Sequence, residues 1–241
     1  MTDRVLLMNS VPAPLLAGIT DPLDLRNIDD RAFRQILESC RAEHLNLYHL
    51  TVTALDGIHL LRTVTDLSLE WAPKVTTLSP VFRMTWLERL AVINLPRVVN
   101  LRGIETLSRM KTLRLCGGMW RPLRIASLRP LASLDSLTSL TIRHIRIADD
   151  DITPLSRLEQ LTELELSNEF DRGQVAFLAR HLNSRLKVPL SACCETSLAC
   201  SVCGAPRFMF TGRRMPFLCR SCDSARFKRL TYTFERLVDS A

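Results

Sequence analysis

Apolar residues recur in pairs one residue apart: Leu45/Leu47, Leu67/Leu69, Leu90/Val92, Leu113/Leu115, Leu140/Ile142 and Leu164/Leu166. The intervals between successive pairs are 22, 23, 23, 27 and 24 residues. Alternation puts both members of a pair on one face of an extended strand and the residue between them on the other. One such unit cannot bury its own apolar face, so a repeat of this period predicts stacked units in which each strand pairs with the next. Few other architectures satisfy that constraint. The expected product is a curved parallel sheet whose inner face is leucine and whose outer face is open to a partner.

Beyond the strand, apolar residues fall every third position. One unit runs Leu87, Leu90, Val92, Leu95, Val98, Leu101, Ile104, Leu107, and the next resumes at Met110. Another runs Leu137, Leu140, Ile142, Ile145, and then Ile152, Leu155, Leu158, Leu161. Over residues 44–168 this resembles the bacterial leucine-rich repeat family in its short-repeat form. The resemblance implies an α/β solenoid with a parallel sheet on one side and helical turns or 3₁₀ segments on the convex side. The fourth unit departs from the pattern, because Cys116-Gly117-Gly118-Met119-Trp120-Arg121-Pro122 adds residues after the strand. The Asn usual after the second leucine has counterparts in Asn94 and Asn168, whereas Trp71, Gly117 and His144 stand there in other units.

Three regions follow. Residues 1–43 hold an N-terminal segment, with a strand expected near Val5–Met8, a loop forced by Pro12 and Pro14, and an amphipathic helix over 29–42. That helix is expected to cover the open N-terminal end of the solenoid. Residues 44–190 are the repeats with a C-terminal cap. The cap is a helix entered at Asp171 and carrying Val175, Phe177, Leu178 and Leu182, with an edge strand expected at 187–190. Residues 191–241 are a separate small module, opening on a linker over 191–199.

That module carries Cys200-Ser-Val-Cys203 and, after fifteen intervening residues, Cys219-Arg-Ser-Cys222. Two C-x-x-C pairs at this separation match a tetrahedral Zn²⁺ site in which each tight turn supplies two thiolates. Four thiolates fill the coordination sphere and leave no position for water or substrate, so the expected ion is one structural zinc. A thiol–disulfide pair is the rival reading. Knuckle, hairpin, knuckle and a helix over 224–238 resemble a treble-clef or zinc-ribbon finger. Cys193 and Cys194 are read as ordinary thiols, and Cys40 and Cys116 as packing residues.

Charge leaves two partners open. A formal charge of +7 is modest for 241 residues with arginines dispersed along the chain, yet Arg207, Arg213, Arg214 and Arg220 enrich the finger, where they suit phosphates. Nucleic acid is therefore an alternative partner. On the repeats, the outward columns hold Asp66, Glu70, Trp71, Arg89, Asn94, Arg114, Arg143, His144, Glu163 and Glu165, banded acidic, basic, acidic. Such bands, about 10–15 Å apart by strand spacing, suit a folded protein partner better than a uniformly charged polymer. They also suit pairing among themselves, as Arg143 with Glu165, and Trp71 can anchor a partner or pack on Pro73.

No catalytic constellation and no Gly-rich phosphate loop emerge. The expected function is thus non-enzymatic protein recognition. The resemblance implies a bacterial module, such as an inhibitor or immunity protein of a toxin. A substrate-recognition factor of a ligase-like enzyme is the third reading. Cysteines with metal spacing and no long apolar run point to a cytoplasmic protein with no membrane span.

Overall fold

The computed structural model describes residues 4–8, 16–19 and 22–241. Its main body is an eight-stranded parallel sheet formed by β1 (Arg4–Leu7), β2 (Leu23–Ile28), β3 (His44–Leu50), β4 (Asp66–Glu70), β5 (Arg89–Ile93), β6 (Thr112–Cys116), β8 (Ser139–Arg143) and β10 (Glu163–Leu166), in that spatial order. The leucine pairs lie in register: Leu45 with Leu67, Leu67 with Leu90, Leu90 with Leu113, Leu113 with Leu140 and Leu140 with Leu164. Both members of the first five pairs are buried, and the last pair, Leu164/Leu166, is partly buried at the end of the stack. In-register stacking merges the units into one continuous apolar core, which is why no single repeat needs a core of its own.

The return path of each unit is short and helical, as the three-residue apolar spacing demands. It takes 3₁₀ form at Ile58–Leu60, Ile104–Thr106, Arg129–Ser133 and Thr153–Arg157. In the second unit it is the short helix α2 (Ser79–Phe82). Each 3₁₀ turn drops one aliphatic residue inward, Ile58, Ile104, Leu131 and Leu155.

Two expectations at the N-terminus need correction. The amphipathic helix forms as α1 (Asp30–Ser39), with the Asp29 side chain accepting from the Ala32 amide at 2.8 Å. It does not close the end of the sheet, however. It is the crossover between the parallel strands β2 and β3, and its Ala32, Phe33 and Ile36 enter the common core. The sheet continues through β2 and β1, two strands beyond residue 44. Leu23/Leu25 stand 22 residues before Leu45/Leu47 and pair with them in register, a further pair of the ladder flanking Asp24. The loop expected at Pro12 and Pro14 lies outside the described residues.

The inserted residues of the fourth unit feed a second, two-stranded parallel sheet, β7 (Leu123–Ile125) with β9 (Ile145–Ile147). At the C-terminus α3 (Arg172–Leu182) is capped by Asp171, which accepts from Gly173 and Gln174. Residues 187–190 form no strand; the Lys187 amide bonds the Thr162 carbonyl instead. Nor is 191–199 a linker, because Cys193–Ala199 is β11. It pairs antiparallel with β12 (Pro206–Phe210), which pairs in turn with β13 (Phe217–Cys219). Helix α4 (Ser224–Asp239) completes the module, with Phe227 in its small core and Phe234 in the core of the solenoid.

Candidate functional site

The residue between each leucine pair faces away from the core. Asn46, Ser68, Ala91, Arg114, Thr141 and Glu165 are half-exposed or exposed, and their register makes them one row across the sheet. The row is flanked by the other candidate residues on the same strands. Much of its charge is matched across neighbouring strands. Asp66 lies 3.3 Å from His44 and 3.5 Å from Arg89; Arg143 meets Glu165 at 3.4 Å and Lys187 meets Glu163 at 2.5 Å. All are solvent-accessible pairs of the kind that contribute about 0–1 kcal/mol each, so they set the pattern of the face more than its stability. Arg114, at the centre, is exposed and has no ion-pair partner among the described residues.

The residue four positions after the first leucine of a pair, at all but Gly117 and Asn168, has a different job from the one its column suggested. His49, Trp71, Asn94 and His144 adopt φ of +58°, +55°, +57° and +50°, and Asn27 of the second strand adopts +60°. This left-handed step turns the chain off the sheet, and Asn is favoured there because its side chain tolerates it. Side chains of this column touch along the stack. The His49 ring stacks on Trp71 with centroids 4.1 Å apart, and His49 Nδ1 lies 2.9 Å from Asn27 Oδ1. Trp71 therefore packs on His49, with 40% of its surface exposed. His144 Nδ1 reaches the Gly118 carbonyl at 2.6 Å. Glu70 is half-exposed in the strand before Trp71.

The four cysteines of the finger converge. Their sulfurs all lie within 4.8 Å of one another, with Cys203 to Cys219 at 3.5 Å and Cys200 to Cys222 at 3.9 Å. A tetrahedron with metal–sulfur bonds of about 2.3 Å has edges of about 3.8 Å, so the set fits one tetrahedral ion. The knuckles hold it open: the Gly204 amide bonds the Cys200 carbonyl at φ +75°, a conformation suited to glycine. In the second knuckle the Cys219 amide donates to Asp223 Oδ2. Backbone amides of Val202, and then Cys203, draw the Cys200 thiol down to about 7. Cys222 is pushed up to about 12, chiefly by its hydrogen bond with Cys203. The residues present can hold a metal ion; Cys193 and Cys194 stand outside the cluster.

Three of the four finger arginines are engaged within the chain. Arg207 donates to the Phe217 carbonyl at 2.6 Å. Arg220 lies over the rings of Phe208 and Phe227. Arg213 bonds the Glu169 carbonyl and pairs with Asp150 at 2.5 Å. Arg214 is exposed.

Two features were not assigned a role from sequence. Asn168 clamps the finger to the repeats, donating to the Phe210 carbonyl at 2.8 Å and accepting from the Gly212 amide at 2.7 Å. Its position after the last leucine pair was visible, but its partners were not. Met119 and Trp120, inside the fourth-unit insertion, are 83% and 87% exposed. Their signal was two glycines followed by large apolar residues where a core residue would be due.

No family model matches the sequence. No curated protein is significantly similar to it. Among solved structures the chain is similar to internalin C2 of Listeria monocytogenes str. 4b F2365, with a TM-score of 0.51 and 22% identity over 70% of this chain and 71% of that one. It is also matched by an internalin (inlF) of the same strain, with a TM-score of 0.40 and 17% identity over 69% and 61% of the two chains. The first likeness, together with the parallel sheet and small C-terminal sheet, identifies the fold as a leucine-rich repeat solenoid with a small C-terminal domain.

Proposed function

We propose that this chain is a non-enzymatic, cytoplasmic recognition protein that holds a folded protein partner on its strand face, with one structural zinc ion in the finger. One observation carries the reading: six adjacent strands present an unbroken row of solvent-facing side chains in register, with Arg114 unpaired at its centre. The columns on either side widen that row to the scale of one side of a protein interface, about 20–30 residues. Short-range alternation of charge favours a surface of complementary pattern over a nucleic acid, and the use of Arg207, Arg213 and Arg220 in internal contacts supports the same choice. Zinc is favoured by an all-sulfur tetrahedral donor set. The role of inhibitor or immunity protein rests on the family resemblance alone, and the identity of the partner decides it.

Charge reversal tests the strand face. Arg114→Glu with Arg143→Glu is expected to weaken the complex with the native partner, measured by calorimetry, while leaving the melting temperature nearly unchanged, since both side chains are exposed. Equal affinity in that double variant sinks the reading. Tight binding of duplex DNA or RNA, lost steeply with salt, moves the function to nucleic acid.

A further inference from the structure

The inserted loop of the fourth repeat is rigid at its base and apolar at its tip. The Gly117 amide continues the sheet by bonding the Arg143 carbonyl at 2.9 Å, and the Gly118 amide closes a turn on the Arg121 carbonyl at 2.9 Å. On the far side the Leu123 amide bonds the His144 carbonyl. A β-carbon at Gly117 would lie 2.1 Å from the His144 carbonyl oxygen, and one at Gly118 would lie 2.3 Å from Asn94 Oδ1. At Gly117 the obstacle is backbone, so only glycine fits there; at Gly118 it is the Asn94 carboxamide, which a larger residue would have to displace. From this base Met119 and Trp120 project into solvent, and Trp120 is the most exposed large apolar residue among those described. An indole left in water exposes roughly 150–250 Å² of surface that gains by being covered. A mobile loop could fold such a ring back onto the protein; this base holds it out.

The surroundings say what kind of cover fits. Toward the strand face lies a hollow of about 320 Å³ lined by Ile93, Arg114, Cys116, Arg143 and His144. Toward the finger lies a cleft of about 650 Å³ that includes Arg146, Arg213 and Arg214. Its three arginines outnumber its two acids: Asp150 pairs with Arg213, and Glu169 keeps its charge while accepting from Ser167 and the Ile145 amide. Arg146 stands beside Arg124 in register, both exposed, and neither they nor Arg214 has an ion pair among the described residues. The knob thus rises between two depressions of net positive charge.

We propose that Met119 and Trp120 are the central anchor of the protein interface, and that the partner offers an apolar pocket ringed by acidic side chains. The proposal rests on the protein-recognition reading above and deepens it. An indole buried at the centre of an interface supplies a large share of the binding energy, and the flanking arginines steer and orient an acidic surface. The finger then belongs to the binding surface, because Arg214 forms one wall of the cleft.

The test begins in the native host, with the full chain carrying p-benzoylphenylalanine in place of Trp120 and, as a control, in place of Leu60 on the convex side. Position 120 should give one dominant protein adduct whose crosslinked segment is net acidic, and position 60 should not. A basic crosslinked segment, a nucleic-acid adduct, no dominant adduct, or the same labelling from both positions overturns the proposal. With the purified partner, Met119→Ser plus Trp120→Ser should weaken binding about 30-fold or more, the size of a hot-spot loss. Arg146→Glu plus Arg214→Glu should weaken it and flatten its salt dependence. Circular dichroism melts matching the wild type exclude misfolding as the cause. If the Ser pair binds normally while Arg114→Glu/Arg143→Glu fails, the knob proposal falls and the strand-face reading stands. The opposite pattern removes the strand face as the main contact and keeps the knob.

Discussion

Asn168 ties the finger to the repeats through one side chain. Its carboxamide donates to the carbonyl that ends one hairpin strand and accepts from the amide two residues on. Asn168→Ala would leave the part-buried Phe210 carbonyl and Gly212 amide without those partners. The expected loss is about 1–3 kcal/mol, seen in urea denaturation together with faster hydrogen exchange at Gly212. Three carboxylates give the molecule an acid limit. Glu163 is held below the ordinary range first by its hydrogen bond with Lys187, Glu88 by that with Lys111, and Asp151 by the Thr153 hydroxyl. Their folded values lie below the unfolded ones, so their contribution is complete above about pH 4–5 and is lost as pH falls through the lowered values. The melting temperature should therefore be flat from neutral pH to about 5 and fall below about 4. The triple variant Glu88→Gln, Asp151→Asn, Glu163→Gln should show a shallower fall.

At the level of elements, the finger is the C-terminal cap of the solenoid. Phe234 of α4 enters the main core, with Leu237 and Val238 packed against it. Arg172 of α3 donates to the Leu230 carbonyl, and burial lowers the pKa of its guanidinium. An end repeat left open would expose Leu164 and Leu166 to water, which is what capping repeats prevent. Among the described residues the three-stranded sheet around the cysteines buries Phe210, Leu218 and Phe227, with Cys193, Phe208, Met215 and Leu230 partly buried against them, a core too small to hold it without further support. Elemental analysis should find about one zinc per chain. Chelation should unfold chiefly residues 200–238 and, through Arg172 and Phe234, speed hydrogen exchange in α3 as well. Unchanged exchange throughout the finger on complete metal removal would show that thiol packing alone holds it.

For the whole molecule, stability is shared along the stack. Each repeat contacts its neighbours, so a defect at the centre weakens the interfaces on both sides. Leu113, in an interior strand and fully buried, pairs with Leu90 on one side and Leu140 on the other. Leu113→Ala should cost about 2–5 kcal/mol and broaden the unfolding transition. The same substitution at Leu164, already partly exposed, should cost less.

Strand register, the buried faces, the helical return segments and the cysteine quartet were legible in the chain because each follows from a local rule. Alternation has a period of two, apolar spacing of three marks the 3₁₀ turns, and a two-residue gap between cysteines forms a knuckle. The strand at Leu23–Ile28 was not legible as a repeat, because a ten-residue helix and not the three-residue apolar spacing follows it. Tertiary structure alone decided how the charges pair, where the finger sits and which apolar side chains remain in water. Those outcomes depend on groups far apart in sequence, such as Asn168 and Phe210 at 42 residues or Asp150 and Arg213 at 63, and nothing in either local stretch encodes the meeting.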